Sequence, residues 1–167
     1  MRHGLGGGAK RGPDLLSPGV VTGIGVAGTL DEVVLHQLLH WHHFYDRSFA
    51  ADMVSDGLFH LASTAFLVVG LYWAMASVWR GRDADRDRAG AWRRFWAGLL
   101  LGAGGFNLFD GTVQHKVLRL HEVRMDAADP LPYDIAFLGL AVVVALAGVL
   151  LLRRSSLPSA PDLDARL

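Results

Sequence analysis

Asp31, His36 and His42 recur about eighty residues later as Asp110, His115 and His121. Each set reads Asp-x4-His-x5-His, follows a glycine-rich apolar run and leads into a short polar connection. Beyond those connections stand Asp56 and Asp134, again about eighty residues apart, each opening a long apolar segment. Imidazole and carboxylate ligate first-row metals without help from sulfur, and the same groups relay protons. Set into otherwise apolar helices they are costly, and such placements mark sites.

Composition narrows the chemistry. The chain has 167 residues, 51% of them apolar, and no cysteine. Disulfides, thiolate zinc sites and the preferred soft ligand for copper(I) are excluded, which leaves histidine and carboxylate as the strong ligands. Such a set fits iron, zinc or copper(II), with iron and zinc leading and manganese also compatible. All the histidines except His3 gather near the repeated motifs. Formal net charge is zero, and no basic stripe is present to follow a phosphate backbone, so nucleic acid is not an expected partner.

The elements that must position these groups are helices in a bilayer. Mean hydropathy is positive, and the charges cluster between apolar stretches. A helix crosses the hydrocarbon core with about 20 residues. Four segments reach that length, at about 20–43, 57–79, 92–117 and 132–152. The second and fourth are plainly apolar; the first and third carry the Asp and His groups and suit spans whose polar faces turn inward. The expected fold is an all-α integral membrane four-helix bundle built from two related helix pairs. Its domains are an N-terminal tail (1–18), the four-span region (19–153) and a C-terminal tail (154–167).

Positive charge orients the bundle. Arg80, Arg82, Arg86, Arg88, Arg93 and Arg94 lie between Trp79 and Phe95, with Arg2, Lys10 and Arg11 before the first segment and Arg153 and Arg154 after the last. The other two connections carry little beyond Arg47 and Arg124. Lysine and arginine excess marks cytoplasmic loops, so both termini are expected in the cytoplasm of a multi-pass inner-membrane protein. Residues 1–18 lack the apolar core of a cleavable signal, and the first span is expected to act as the targeting segment. The Asp and His groups then share one depth near the outer face. Trp41, Phe44, Tyr45 and Tyr133 read as an aromatic belt at that interface, and Asp46, Asp126 and Asp129 as solvated loop charges.

Ideal helix geometry fits only part of this pattern. At about 100° per residue, Glu32, His36, His40 and His43 form one polar stripe, and Asp56 and His60 share a face. The repeated Asp-x4-His pair falls about 140° apart, so its members cannot meet on a regular helix. Gly25, Gly28, Gly102, Gly104, Gly105 and Gly111 permit close helix approach or a local irregularity. Otherwise each aspartate hydrogen-bonds a ligating histidine from a neighbouring helix and fixes its tautomer. His36, His42, His115 and His121 are the expected leading metal ligands, with His43 and His60 next. Asp56 and Asp110 ligate or orient the imidazoles, as do Asp31 and Asp134.

The stretch Leu35-His36-Gln37-Leu38-Leu39-His40-Trp41-His42-His43 resembles a family of prokaryotic membrane proteins labelled domain of unknown function 2243. So do Asp56-Gly57-Leu58-Phe59-His60, Phe106-Asn107-Leu108-Phe109-Asp110-Gly111, His115, His121 and Tyr133-Asp134. The resemblance covers nearly the whole chain apart from its tails. It implies a membrane location without an established activity, and offers copper-handling oxidase-assembly proteins as a functional hint. Within it, glutamine is usual at the position of His40, glycine at that of Glu32 and histidine at that of Glu122, which makes those three weaker choices for an essential role.

Three functions follow from these residues. The first is a metal-binding membrane protein near the outer face, acting in metal handling or respiratory-oxidase assembly. The second is a membrane oxidoreductase with a di-metal or haem centre, haem being the less expected group and requiring paired histidines such as His36 and His115 across the bundle. The third is a metal-free structural or proton-handling protein. The residues leave open whether the chain is an enzyme, what its protein partner is, and whether it forms a homo-oligomer.

Overall fold

Small residues decide which helices touch. The computed structural model describes residues 13–45, 48–81, 88–118, 120 and 122–155. Its described residues form four helices, as the sequence leads one to expect. The first is α1 (Leu16–Leu30), which runs on without a break as a π-helical segment, π1 (Asp31–Leu38). Next comes α2 (Phe49–Arg80). The third is α3 (Arg88–Phe109), continuing into π2 (Asp110–Val117), and the last is α4 (Leu131–Ser155). Helices α1 and α3 cross at the centre, α2 packs on α1, and α4 packs on α3.

The central crossing is reciprocal. A Cβ added at Gly19 would fall on the carbonyl oxygen of Phe95, and one at Gly98 on that of Leu16. Gly23 faces the carbonyl of Leu99 in the same way, and Gly102 that of Val20. Each residue and its counterpart are separated by the same interval of about eighty residues that separates the Asp and His motifs. Where lipid removes the hydrophobic drive between helices, such close backbone approach through small residues is the main source of packing energy. The flanking contacts follow the same rule: α2 buries Ser63, Gly70 and Ala74, and α4 buries Ala141 and Gly148 along with Asp134.

The outer faces of α2 and α4 are covered with exposed apolar side chains, among them Leu61, Val69, Leu140 and Val143. Three helices are long and apolar enough to cross a membrane: Leu16–Leu38, Phe49–Arg80 and Leu131–Ser155. The helix through α3 and π2 is as long, but its glycines, Asn107 and Asp110 hold its hydropathy down.

Two readings of the sequence need correction. The first helix does not run to His43; it stops at Leu38, and His40 takes a left-handed backbone conformation with φ 51°. The stripe through Glu32, His36, His40 and His43 is therefore broken, with Glu32 and His36 buried and His40 turned out to the exposed surface. Helix α2 starts earlier than its apolar run, because Ser48 caps it: the Ser48 hydroxyl accepts a hydrogen bond from the Ala51 amide at 3.3 Å.

Candidate metal centre

The two π-helical segments solve the spacing problem. An i→i+5 backbone bond widens the turn, so residues five apart stack on one face, and such segments concentrate at functional sites. In π1 the Leu39 amide donates to the Val34 carbonyl at 2.9 Å; in π2 the Leu118 amide donates to Val113 at 2.8 Å. Each helix then closes with a still wider bond, Trp41 to Leu35 and Leu120 to Gln114. As a result His36 Nε2 stands 3.4 Å from Asp31 Oδ2, and His115 Nε2 stands 3.1 Å from Asp110 Oδ2. All four side chains are buried.

His36 is the hub. Its Nδ1 donates to Glu32 Oε2 at 2.9 Å and lies 3.2 Å from Asp56 Oδ1 on α2, while its Nε2 faces Asp31. Glu32 is in turn held by Gln37, whose amide donates to Oε1 at 2.9 Å. Asp56 accepts from the Phe44 amide and from His43 Nδ1, each at 2.7 Å. His43 is partly exposed, so Asp56 joins a buried imidazole to one at the surface.

His42 arrives from the chain after π1 and inserts its ring between the two halves. It packs edge to face against His36, with ring centroids 4.6 Å apart, and against His115 at 5.9 Å. Its Nδ1 donates to the Val123 carbonyl at 2.9 Å. A backbone carbonyl only accepts, so Nδ1 carries the proton, and in the neutral ring Nε2 is the nitrogen that could ligate a metal. That Nε2 points at Asp31 Oδ1, 4.0 Å away. His36 differs in that carboxylates face both of its ring nitrogens, Glu32 and Asp56 at Nδ1 and Asp31 at Nε2.

One oxygen or nitrogen from each of Asp31, His36 and His42 lies within 4.8 Å of the others, as does one from each of Glu32, His36 and Asp56. Ligands about 2.1 Å from one tetrahedral ion lie about 3.4 Å apart, so both sets have the spacing a divalent metal needs after small adjustment. Donor chemistry differs between them: two imidazoles and a carboxylate in the first, one imidazole and two carboxylates in the second.

The second half is not a copy of this arrangement. Gly111 stands where π1 has Glu32, and Lys116 where it has Gln37. Asp134, the counterpart of Asp56, is buried and pairs with the Lys116 ammonium and, among the described residues, with no histidine. Rings still match across the halves: Phe59 lies 5.8 Å from His36 and Phe137 5.8 Å from His115.

The structure therefore brings together Asp31, His36, His42, His43 and Asp56, and sets Asp110 with His115 next to His42. His60 lies one turn along α2 from Asp56; its Nδ1 is buried without a hydrogen-bond partner, and no ion pair ties it to the cluster among the described residues. His121 lies outside the described residues, as do Asp46, Arg47 and residues 1–12, 82–87 and 156–167. Two contributors were not anticipated. Glu32 had been discounted, yet it is 1% exposed and bonded to His36; the i, i+4 spacing was its signal. The Val123 carbonyl is main chain and leaves no mark in the sequence. Of the aromatic residues read as a belt, Trp41 and Tyr133 meet edge to face at 5.4 Å. Arg124 covers both rings and bonds the Tyr133 hydroxyl at 2.6 Å, closing the polar end of the bundle.

No curated protein and no solved structure matches the chain. The sequence profile of one family, described as "Predicted membrane protein (DUF2243)", matches residues 18–155. That span holds all of the helices but the first two residues of α1, together with every residue of the buried cluster, and the chain belongs to this family of membrane proteins.

Proposed function

We propose that the protein binds a divalent transition metal ion through Asp31, His36 and His42, with His115 and Asp110 adjoining as a further imidazole and carboxylate. Metal handling at the membrane, including supply to a respiratory oxidase, is the process this serves. The observation that carries the reading is the convergence of two imidazole nitrogens on one buried carboxylate, Asp31. The Val123 carbonyl holds His42 through Nδ1–H, Glu32 holds His36 at Nδ1, and each ring turns Nε2 toward Asp31. Metal-ligating histidines are held in this way by partners that set ring orientation and raise basicity. Iron, zinc and copper(II) suit two imidazoles and a carboxylate.

In this reading Asp56 and His43 orient the centre from α2. His121, which repeats His42 in the sequence, would complete the set in the second half. The helix through α3 and π2 is taken as a fourth span, with both termini in the cytoplasm on the arginine distribution, which sets the metal near the outer face of the inner membrane. The repeated interval in motif, crossing and ring contacts supports an internal duplication of a helix pair.

A metal-free, proton-handling network is the second reading. It is favoured by the run of close ionisable contacts from buried His36 through Asp56 to the partly exposed His43. Cobalt(II) titration of detergent-purified protein separates the two. Ligand-field bands of a nitrogen-rich site are expected in the natural protein and in His40→Ala, and are expected to vanish in His36→Ala and His42→Ala. A flat spectrum in the natural protein favours the network.

A further inference from the structure

Both faces of the His36 ring are furnished with metal-binding groups, and only one face is used above. Resting on the proposed metal site, we infer that the protein holds a second divalent cation between Glu32, Asp56 and His36 Nδ1, so that His36 bridges two ions as an imidazolate. Glu32 Oε2 and Asp56 Oδ1 converge on that one nitrogen at 2.9 and 3.2 Å. A ring nitrogen offers a single proton, so two carboxylates are gathered around one hydrogen. Distances of this size are those between neighbouring ligands on one tetrahedral ion, about 3.4 Å.

A comparison within the chain makes the missing charge plain. In the second half, the buried carboxylate of Asp134 is neutralised by the Lys116 ammonium. In the first half, the position of Lys116 is Gln37, an amide, and an extra carboxylate is present at Glu32. Among the described residues neither Glu32 nor Asp56 meets a lysine or arginine; histidine is their only basic partner. Buried carboxylates need a counter-charge, because burial strips the hydration that an unpaired charge depends on. Where one half carries a covalent cation, the other half has the ligands for a mobile one. The Gln37 amide and the Phe44 amide, both neutral, bond the carboxylates from behind and hold them in place without supplying that charge.

Filling this site exchanges a proton for a metal. The His36 Nδ1–H bond breaks, an Nδ1–metal bond forms, and the proton leaves to solvent; no electron transfer is involved. Zinc or copper(II), which accept imidazole and carboxylate together, are the fitting class.

The test is zinc stoichiometry on chelator-stripped, reloaded protein, by elemental analysis with concurrent measurement of proton release. Two zinc ions per chain are expected in the natural protein, with an additional proton released on the second, and one ion in Glu32→Gln. Loaded with copper(II), the natural protein is expected to show an electron paramagnetic resonance signal attenuated by coupling through the ring, and Glu32→Gln the full signal of an isolated ion. One zinc in the natural protein, unchanged in Glu32→Gln, overturns the second site and leaves the first standing. No zinc in the natural protein overturns both. The count on the natural protein decides even if the variant does not fold.

Discussion

Asp31 and His36 are five residues apart and face each other at 3.4 Å, a meeting that an α-helix forbids and the π-helical turn between them allows. The same relationship joins Asp110 and His115 at 3.1 Å in π2. A π turn gives up regular backbone bonding, and its appearance at both places where a carboxylate must reach an imidazole ties the irregularity to the site.

Asp31→Asn keeps the shape of the side chain and removes the charge that both Nε2 atoms face. Affinity for zinc or cobalt(II) is expected to drop by about 10- to 100-fold, the range seen when a group supporting a metal site is lost, or further if Asp31 is itself a ligand. Competition titration against a chromophoric chelator measures it.

Proton competition sets a direction with pH. Ligating histidines must be neutral and carboxylates ionised, so binding releases protons and weakens on acidification. Affinity is expected to fall steeply between about pH 7 and pH 5, the interval in which histidine competes with protons. An affinity flat across that interval would count against histidine ligation.

The α1–α3 crossing predicts where bulk is not tolerated. Gly23→Val would place side-chain atoms on the Leu99 carbonyl, a backbone group that cannot rotate away, and should cost about 1–3 kcal/mol or more. Gly105→Ala, at a position with open space, should be neutral or mildly stabilising through helix propensity. Thermal unfolding in detergent distinguishes them.

Lys116→Gln copies the first half's residue into the second and leaves Asp134 buried without its ammonium. The Lys116 side chain is 44% exposed, so the loss should sit below that of a fully buried pair, at about 1–3 kcal/mol. Adding Asp134→Asn should recover most of it, which a double-mutant cycle reads directly.

Much of the architecture was legible because membrane helices announce themselves by length and apolar character, and because glycines at regular spacing mark helix crossings. The cluster was legible as well, since Asp31, His36, His42 and Asp56 are conspicuous in apolar surroundings. What the sequence concealed was geometry. An ideal helix put Asp31 and His36 on different faces, and nothing in the residue types marks where a helix widens into π turns. His40 read as part of the polar stripe because the helix was carried past Leu38. The roles of the Val123 carbonyl and the Arg124 clamp over Trp41 and Tyr133 depend on contacts between distant loops, which residue spacing does not encode.

The most direct test of the account is the metal content of the natural protein, purified from membranes without chelators and measured by elemental mass spectrometry beside a His36→Ala, His42→Ala double variant. The account predicts at least one equivalent of iron, zinc or copper in the natural protein and its loss in the variant at unchanged helical content. No metal in the natural protein, even after reconstitution with each of the three, would contradict it.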